Sequence, residues 1–125
     1  MDWLIDTNIL IDHLRGTARA TAFLRRARKQ QMLWISVITV AEIHAGQRMK
    51  QPKERVTVIR FLNLFRIAYL DGTVAAKGGE IVRDYGAALP DALIAATAIS
   101  KGLRLATRNT RHFQGIPHLI VESPY

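Results

Sequence analysis

The sequence predicts an α/β protein, a three-layer α/β/α sandwich around a mainly parallel central sheet, and three observations predict it. Short, unbroken apolar runs alternate with longer segments of helical periodicity, as in a parallel sheet covered on both faces. Most of the candidate helices are bounded by residues that cap or stop a helix. The length of 125 residues suits one domain over residues 1–125, large enough for a single sustained core.

Taken in order, Trp3 to Ile5 reads as a buried strand ending at Asp6. Thr7 or Asn8 then caps a helix to about Leu14, and Gly16 stops it. Thr17 to Lys29 is a second helix and Leu33 to Ser36 a second strand. Ser36 caps a helix carrying Val40, Ile43 and Ala45 to about Met49. Pro52 suits the start of the next helix, where Val56, Ile59, Leu62 and Leu64 form an apolar stripe to about Phe65. Ile67 to Leu70 is a third strand.

Asp71 or Thr73 opens a helix with Val74, Ile81 and Val82 inward and Gly86 at its end. Pro90 suits the first turn of an Ala-rich helix that passes through Asp91 to Lys101 and stops at Gly102. Leu103 to Thr107 is a fourth strand and Leu119 to Val121 a candidate fifth. Trp34 is expected in the core, whereas Trp3 and Tyr125 are candidates to stack on a base or a partner chain.

Composition narrows the function. With no cysteine the fold cannot rest on disulfides, thiolate-bound zinc or a nucleophilic thiol. No stretch approaches the roughly 20 apolar residues needed to span a membrane, and no basic leader precedes the first apolar run, so a cytoplasmic protein is expected. Eighteen Lys and Arg against ten Asp and Glu give a net charge of +8. The excess gathers at Arg25, Arg26, Arg28 and Lys29, at Arg48, Lys50, Lys53 and Arg55, and at Arg104, Arg108 and Arg111. Such a field favours a polyanion through phosphate neutralisation and counterion release.

Against that basic background three acids sit in apolar surroundings. Trp3-Leu4-Ile5 leads into Asp6, Ile38-Thr39-Val40-Ala41 into Glu42, and Asp91 stands between Leu89-Pro90 and Ala92-Leu93-Ile94. An unpaired carboxylate in an apolar setting costs several kcal/mol, so a positive partner is expected. A hard divalent cation meets the need, since Mg²⁺ takes a few carboxylate oxygens and leaves its other positions to water and phosphate. Asn109, just past the fourth strand, converges with these acids if the ligand site lies at the carboxyl ends of the strands. Thr7, Asn8 and Thr107 are within reach as hydrogen-bond donors to carboxylate or phosphate, and turn or cap roles explain them equally well. Asp12 reads as a solvated acid or a partner of Arg15. His44 reads as a surface group, and Glu80, Asp84 and Glu122 as members of surface ion pairs.

Asp6-Thr7-Asn8, Val40-Ala41-Glu42-Ile43, the block Leu89-Pro90-Asp91-Ala92-Leu93-Ile94-Ala95-Ala96-Thr97-Ala98 and Leu105-Ala106-Thr107-Arg108-Asn109 resemble, in order and spacing, the PIN-domain nucleases. More narrowly the chain resembles the VapC-type toxins of bacterial toxin–antitoxin pairs. The resemblance spans essentially the whole chain and implies a magnesium- or manganese-dependent endoribonuclease that cuts RNA with an activated water. It implies that Asp6, Glu42 and Asp91 are the acidic metal-site residues and that Asn109 occupies a fourth position often held by Asp. Asn supplies a carbonyl but no charge there, so a second ion is expected to bind weakly. His112 stands where many relatives carry Asp, and a loop histidine is read as a surface or RNA-contacting group rather than a ligand. The implied partners are a VapB-like antitoxin, a second copy in a homodimer, and DNA only indirectly through the antitoxin. A basic surface around an open acidic site also invites an antitoxin segment that inserts Arg or Lys among the carboxylates and covers apolar surface on Ala41 to Met49 and Val56 to Phe65.

Two other classes share part of this pattern. A small phosphohydrolase would use the same Mg²⁺ carboxylates but would carry a second Asp where Asn8 stands. A non-catalytic RNA- or protein-binding module would keep the basic surface without needing Asp6 and Asp91 together.

Overall fold

Five short strands form one sheet in the order β3-β2-β1-β4-β5, and every neighbouring pair is parallel. They are β1 Trp3–Ile5, β2 Leu33–Ser36, β3 Arg66–Ala68, β4 Arg104–Ala106 and β5 Val121–Glu122. The computed structural model describes all 125 residues. Six α-helices connect the strands: α1 Thr7–Leu14, α2 Ala18–Gln30, α3 Val37–His44, α4 Pro52–Leu62, α5 Gly72–Tyr85 and α6 Leu89–Lys101. Two single 3₁₀ turns, Gln47–Lys50 and Thr110–Phe113, complete the chain.

Strand alternation divides the core into two layers. Trp3 and Ile5 of β1 face α1 to α4 together with Ile9, Leu10, Phe23, Ile35 and Val58. Leu4, between them in sequence, faces α5 and α6 with Ile81, Ile94, Ala95 and Leu105. Ala-rich α6 lies close against α5, and Gly78 lets them approach: a Cβ on it would stand 2.7 Å from Leu93 Cδ2 and force that side chain to move. The expected three-layer α/β/α sandwich is the observed fold.

Several local expectations are corrected. Asp6 itself caps α1, its Oδ1 accepting the Thr7 N–H at 2.8 Å, so neither Thr7 nor Asn8 does. The helix after Ser36 ends at His44, and Met49 is reached through Gly46 and a separate 3₁₀ turn. On α4 the buried side chains are Val58 and Leu62, while Val56, Ile59 and Leu64 are 49%, 39% and 51% exposed. Of the stripe expected from the sequence only Leu62 turns inward, and Val58 takes the other buried place. The tryptophans exchange roles: Trp3 is buried edge-on against Phe23, whereas Trp34 is half-buried with its indole N–H 3.4 Å from Asp2 Oδ2. Tyr125 packs near Phe23 and donates to Asp12 Oδ2 at 2.8 Å, which makes Tyr125 rather than Arg15 the partner of Asp12.

Candidate active site

In a sheet of this order the chain runs outward from β1 in one direction through β2 and β3 and then returns to β1's other side as β4. The crevice between the carboxyl ends of β1 and β4 is thus a switch point, where ligands of open α/β sheets collect. Asp6 follows β1 and Thr107 follows β4. Their backbones are tied by the Asp6 N–H to Ala106 O at 2.9 Å, and Thr107 Oγ1 donates to Asp6 Oδ2 at 2.7 Å across the crevice.

Thr107 is fully buried, and its hydroxyl is saturated. Besides donating to Asp6 it accepts the Asn109 N–H at 3.0 Å and Asn8 Nδ2 at 3.3 Å. One donor and two acceptor positions are all a hydroxyl has. Asn8 Oδ1 in turn accepts the Arg108 N–H at 3.3 Å. The β4 end is thereby locked to the start of α1.

A second network runs to Glu42. Thr7 Oγ1 donates to Glu42 Oε1 at 2.8 Å and lies 2.9 Å from Thr39 Oγ1. Thr39 is buried, one helical turn before Glu42 on α3, so the two side chains share a face. Thr39 was not expected in the site; that i, i+3 spacing was its one sequence signal. Glu42 itself is exposed, contrary to the apolar setting its neighbours in sequence suggested.

Asp91 lies in the first turn of α6, where no side chain caps the helix. Its Oδ2 is 3.2 Å from His112 Nδ1. His112, expected at the surface, is more than half exposed but also faces the acidic site. Buried Phe113 beside it anchors the 3₁₀ turn from which it projects. Asn109 precedes that turn, exposed and without a side-chain capping bond.

The electrostatics set this end of the sheet apart. Asp6 is only 5% exposed, and burial pushes its carboxyl above the usual carboxylate range. The Thr107 hydroxyl and Thr7 N–H oppose that shift, and the Asp91 and Glu42 charges add to it. Asp6 therefore feels the charge of both other acids. None of the three pairs with Lys or Arg, although Glu54, Glu80, Asp84 and Glu122 all do. No three of the acids and histidines stand close enough to cage an ion by themselves. Mg²⁺ does not need such a cage: it keeps several waters and takes one or two carboxylates. A buried carboxylate whose neighbours are other carboxylates, with no organic cation among them, fits a hard divalent ion.

An all-parallel α/β sandwich with carboxylates gathered at its switch point defines the class. The chain belongs to the PIN-domain family, whose pattern matches residues 3–119. It is 40% identical over 115 residues to ribonuclease VapC10 of Mycobacterium tuberculosis, covering 88% of this chain and 84% of that protein. Among solved structures it superposes on a toxin–antitoxin complex from Klebsiella pneumoniae with a TM-score of 0.84 and 34% identity, covering 100% of this chain and 98% of the other. It also superposes on VapBC2 from Rickettsia felis, solved bound to a promoter DNA fragment, with a TM-score of 0.83 and 26% identity over 98% of both chains.

Proposed function

We infer that this chain is a metal-dependent endoribonuclease, the toxic member of a VapBC-type toxin–antitoxin pair. The observation that carries the reading is the acid group at the β1/β4 crevice, with no lysine or arginine paired to it, in a PIN-domain chain of net charge +8. Acids left without lysine or arginine on a basic protein suit a site that meets a cation and a polyanion together.

A bound Mg²⁺ or Mn²⁺ supplies Lewis acidity, lowers the pKa of a water and neutralises charge on the phosphate and leaving oxygen. Asp6 and Asp91 are the proposed ligands. Thr107, by donating to Asp6 Oδ2, and the Thr7 N–H, by donating to Oδ1, hold the Asp6 carboxylate in one orientation. Glu42, steadied by Thr7, positions a water or shares the ion. Asn109 offers a neutral carbonyl for a second ion or its water. No side chain of the site is needed as a nucleophile.

The partner is a VapB-like antitoxin, with assembly into toxin homodimers and toxin–antitoxin hetero-oligomers that meet DNA through the antitoxin. Exposed Val56, Ile59 and Leu64 supply apolar surface for such contacts. The proposed site of action is the cytoplasm, where toxin, antitoxin and RNA meet; no helix is long and apolar enough to cross a membrane.

Sequencing of RNA 5′ ends after brief induction tests the activity and reveals the target. New ends are expected with the unaltered protein and not with Asp6→Ala. The same ends from both, or none from either, would overturn the assignment.

A further inference from the structure

Glu42 has a second environment besides the acid network. It stands at the rim of a hollow of about 360 Å³ between α1 and α3, floored by Ile11, Leu14 and Ile43 and edged by Arg15 and Arg48. An adjoining hollow of about 260 Å³ shares Leu14 and Arg48 and continues to Lys53 and Thr57. Together they make a channel that begins at Glu42 and leads away from Asp6. The eight residues of α1 span about 12 Å, with Asp6 before its first residue and Arg15 after its last. Arg15 therefore stands at the opposite end of α1 from Asp6.

We propose that this channel is an RNA subsite, which holds nucleotides flanking the cut rather than the scissile phosphate. The proposal rests on the nuclease reading above and adds where the strand runs. A cationic rim over an open hollow suits a nucleic-acid strand: the phosphates meet arginine and lysine, and the sugar and base of an unpaired nucleotide cover the aliphatic floor. Arg48 is preset for that task. Its Nη1 donates to Leu14 O at 3.0 Å and its Nε lies 3.3 Å from Glu54 Oε2, so it loses little freedom on meeting a phosphate. Glu54 offsets that one charge, whereas Arg15 and Lys53 are in no ion pair. An apolar protein segment would use the floor but leave those two cations without partners.

The test uses the full chain and a fluorescein-labelled RNA spanning the cleavage site mapped by 5′-end sequencing. Binding is read by anisotropy in EDTA at several salt concentrations, cleavage by steady-state kinetics in Mg²⁺, and folding by melting curves. Arg15→Gln is expected to weaken binding roughly three- to tenfold and to make the slope of log K against log salt shallower by about one. KM should rise with kcat nearly unchanged. Gln47→Trp, at the exposed rim of the same hollow, should raise KM by obstruction without lowering the melting temperature. Unchanged affinity, salt slope and KM in both variants would overturn the subsite while leaving the nuclease reading intact. Intact RNA binding with lost antitoxin affinity would reassign the channel to the protein partner and overturn it equally. If the unaltered protein neither cuts nor binds RNA, both readings fall together.

Discussion

The two ends of the sheet use charge in opposite ways. At the amino end the Arg104 guanidinium lies 3.7 Å from the centre of the Trp3 ring, on strands where Trp3 and Arg104 are in register. Arg66 and Lys101 both approach the Trp34 ring at under 6 Å, and Trp34 and Arg66 are likewise in register. Asp2 accepts from the Trp34 indole and the Met32 N–H. Asp2, Arg66, Lys101 and Arg104 each have a partner there. At the carboxyl end Asp6, Glu42 and Asp91 share hydroxyls, amides and one imidazole, with no lysine or arginine among them. A charge satisfied within the chain holds the fold, and a charge left over is available to a ligand.

Breaking the two ends separately should give opposite outcomes, and the carboxyl end gives the larger one. If Asp6 and Asp91 hold the metal as proposed, Asp6→Ala or Asp91→Ala should lower cleavage by more than roughly a hundredfold. The protein should stay folded, and Asp6→Ala should abolish the Mg²⁺-induced rise in melting temperature that ligand linkage requires. Arg104→Met acts at the amino end. It loses the Trp3 contact and the 3.0 Å hydrogen bond to Gln31, each worth about 1 kcal/mol, together with the half-exposed 3.5 Å ion pair to Glu122, which is worth less. It also removes a buried Nε that has no partner, which offsets part of that loss. The expected result is a net destabilisation of about 1 kcal/mol, seen in chemical denaturation, with kcat and Mg²⁺ dependence unaltered. A loss of activity in Arg104→Met at full folding would erase the distinction between the ends.

How far the sequence carries follows the same division. The strands, the helix stops at Gly86 and Gly102 and the layering were open to reading because they rest on local signals: apolar runs, capping residues and positive φ at glycine. The three acids stand out for the same reason, as charges where local composition is apolar. Partnership between distant residues was not readable. Thr107 bonds Asp6 across 101 positions and Tyr125 bonds Asp12 across 113, and no local pattern announces either. Val56, Ile59 and Leu64 misled because helical periodicity locates an apolar stripe without saying whether the chain or a partner covers it. Trp3 and Trp34 were exchanged because a short strand gives no hint of which face carries the thicker helical layer.

Thr107→Val sharpens the comparison, since it removes one hydroxyl at the carboxyl end while keeping the volume of a fully buried side chain. Asp6 Oδ2 loses its 2.7 Å donor, and the Asn109 N–H and Asn8 Nδ2 lose their acceptor. Two consequences separate a positioning role from a merely structural one. Metal affinity, read by calorimetry or by the Mg²⁺ dependence of melting, should fall about ten- to a hundredfold, as for other groups that orient a ligand. Thr107→Ser restores the hydroxyl and should recover most of that affinity. If Thr107→Val lowers stability but leaves metal affinity intact, Thr107 only ties β4 to α1.

The smallest expected effect belongs to Asn109. Its backbone N–H reaches Thr107 Oγ1, but its side chain is exposed and caps nothing. With no hydrogen bond from its side chain to the turn, Asn109→Ala should leave the melting temperature where it is. If the side chain serves a weakly held second ion, Asn109→Asp replaces a neutral oxygen with a charged one and should lower the Mg²⁺ concentration for half-maximal cleavage severalfold, because charge-assisted ligation is the stronger kind. Asn109→Ala should raise it. One Mg²⁺ titration of three proteins is enough. Three coincident curves would remove Asn109 from the site and leave Asp6, Glu42 and Asp91 to account for the metal alone.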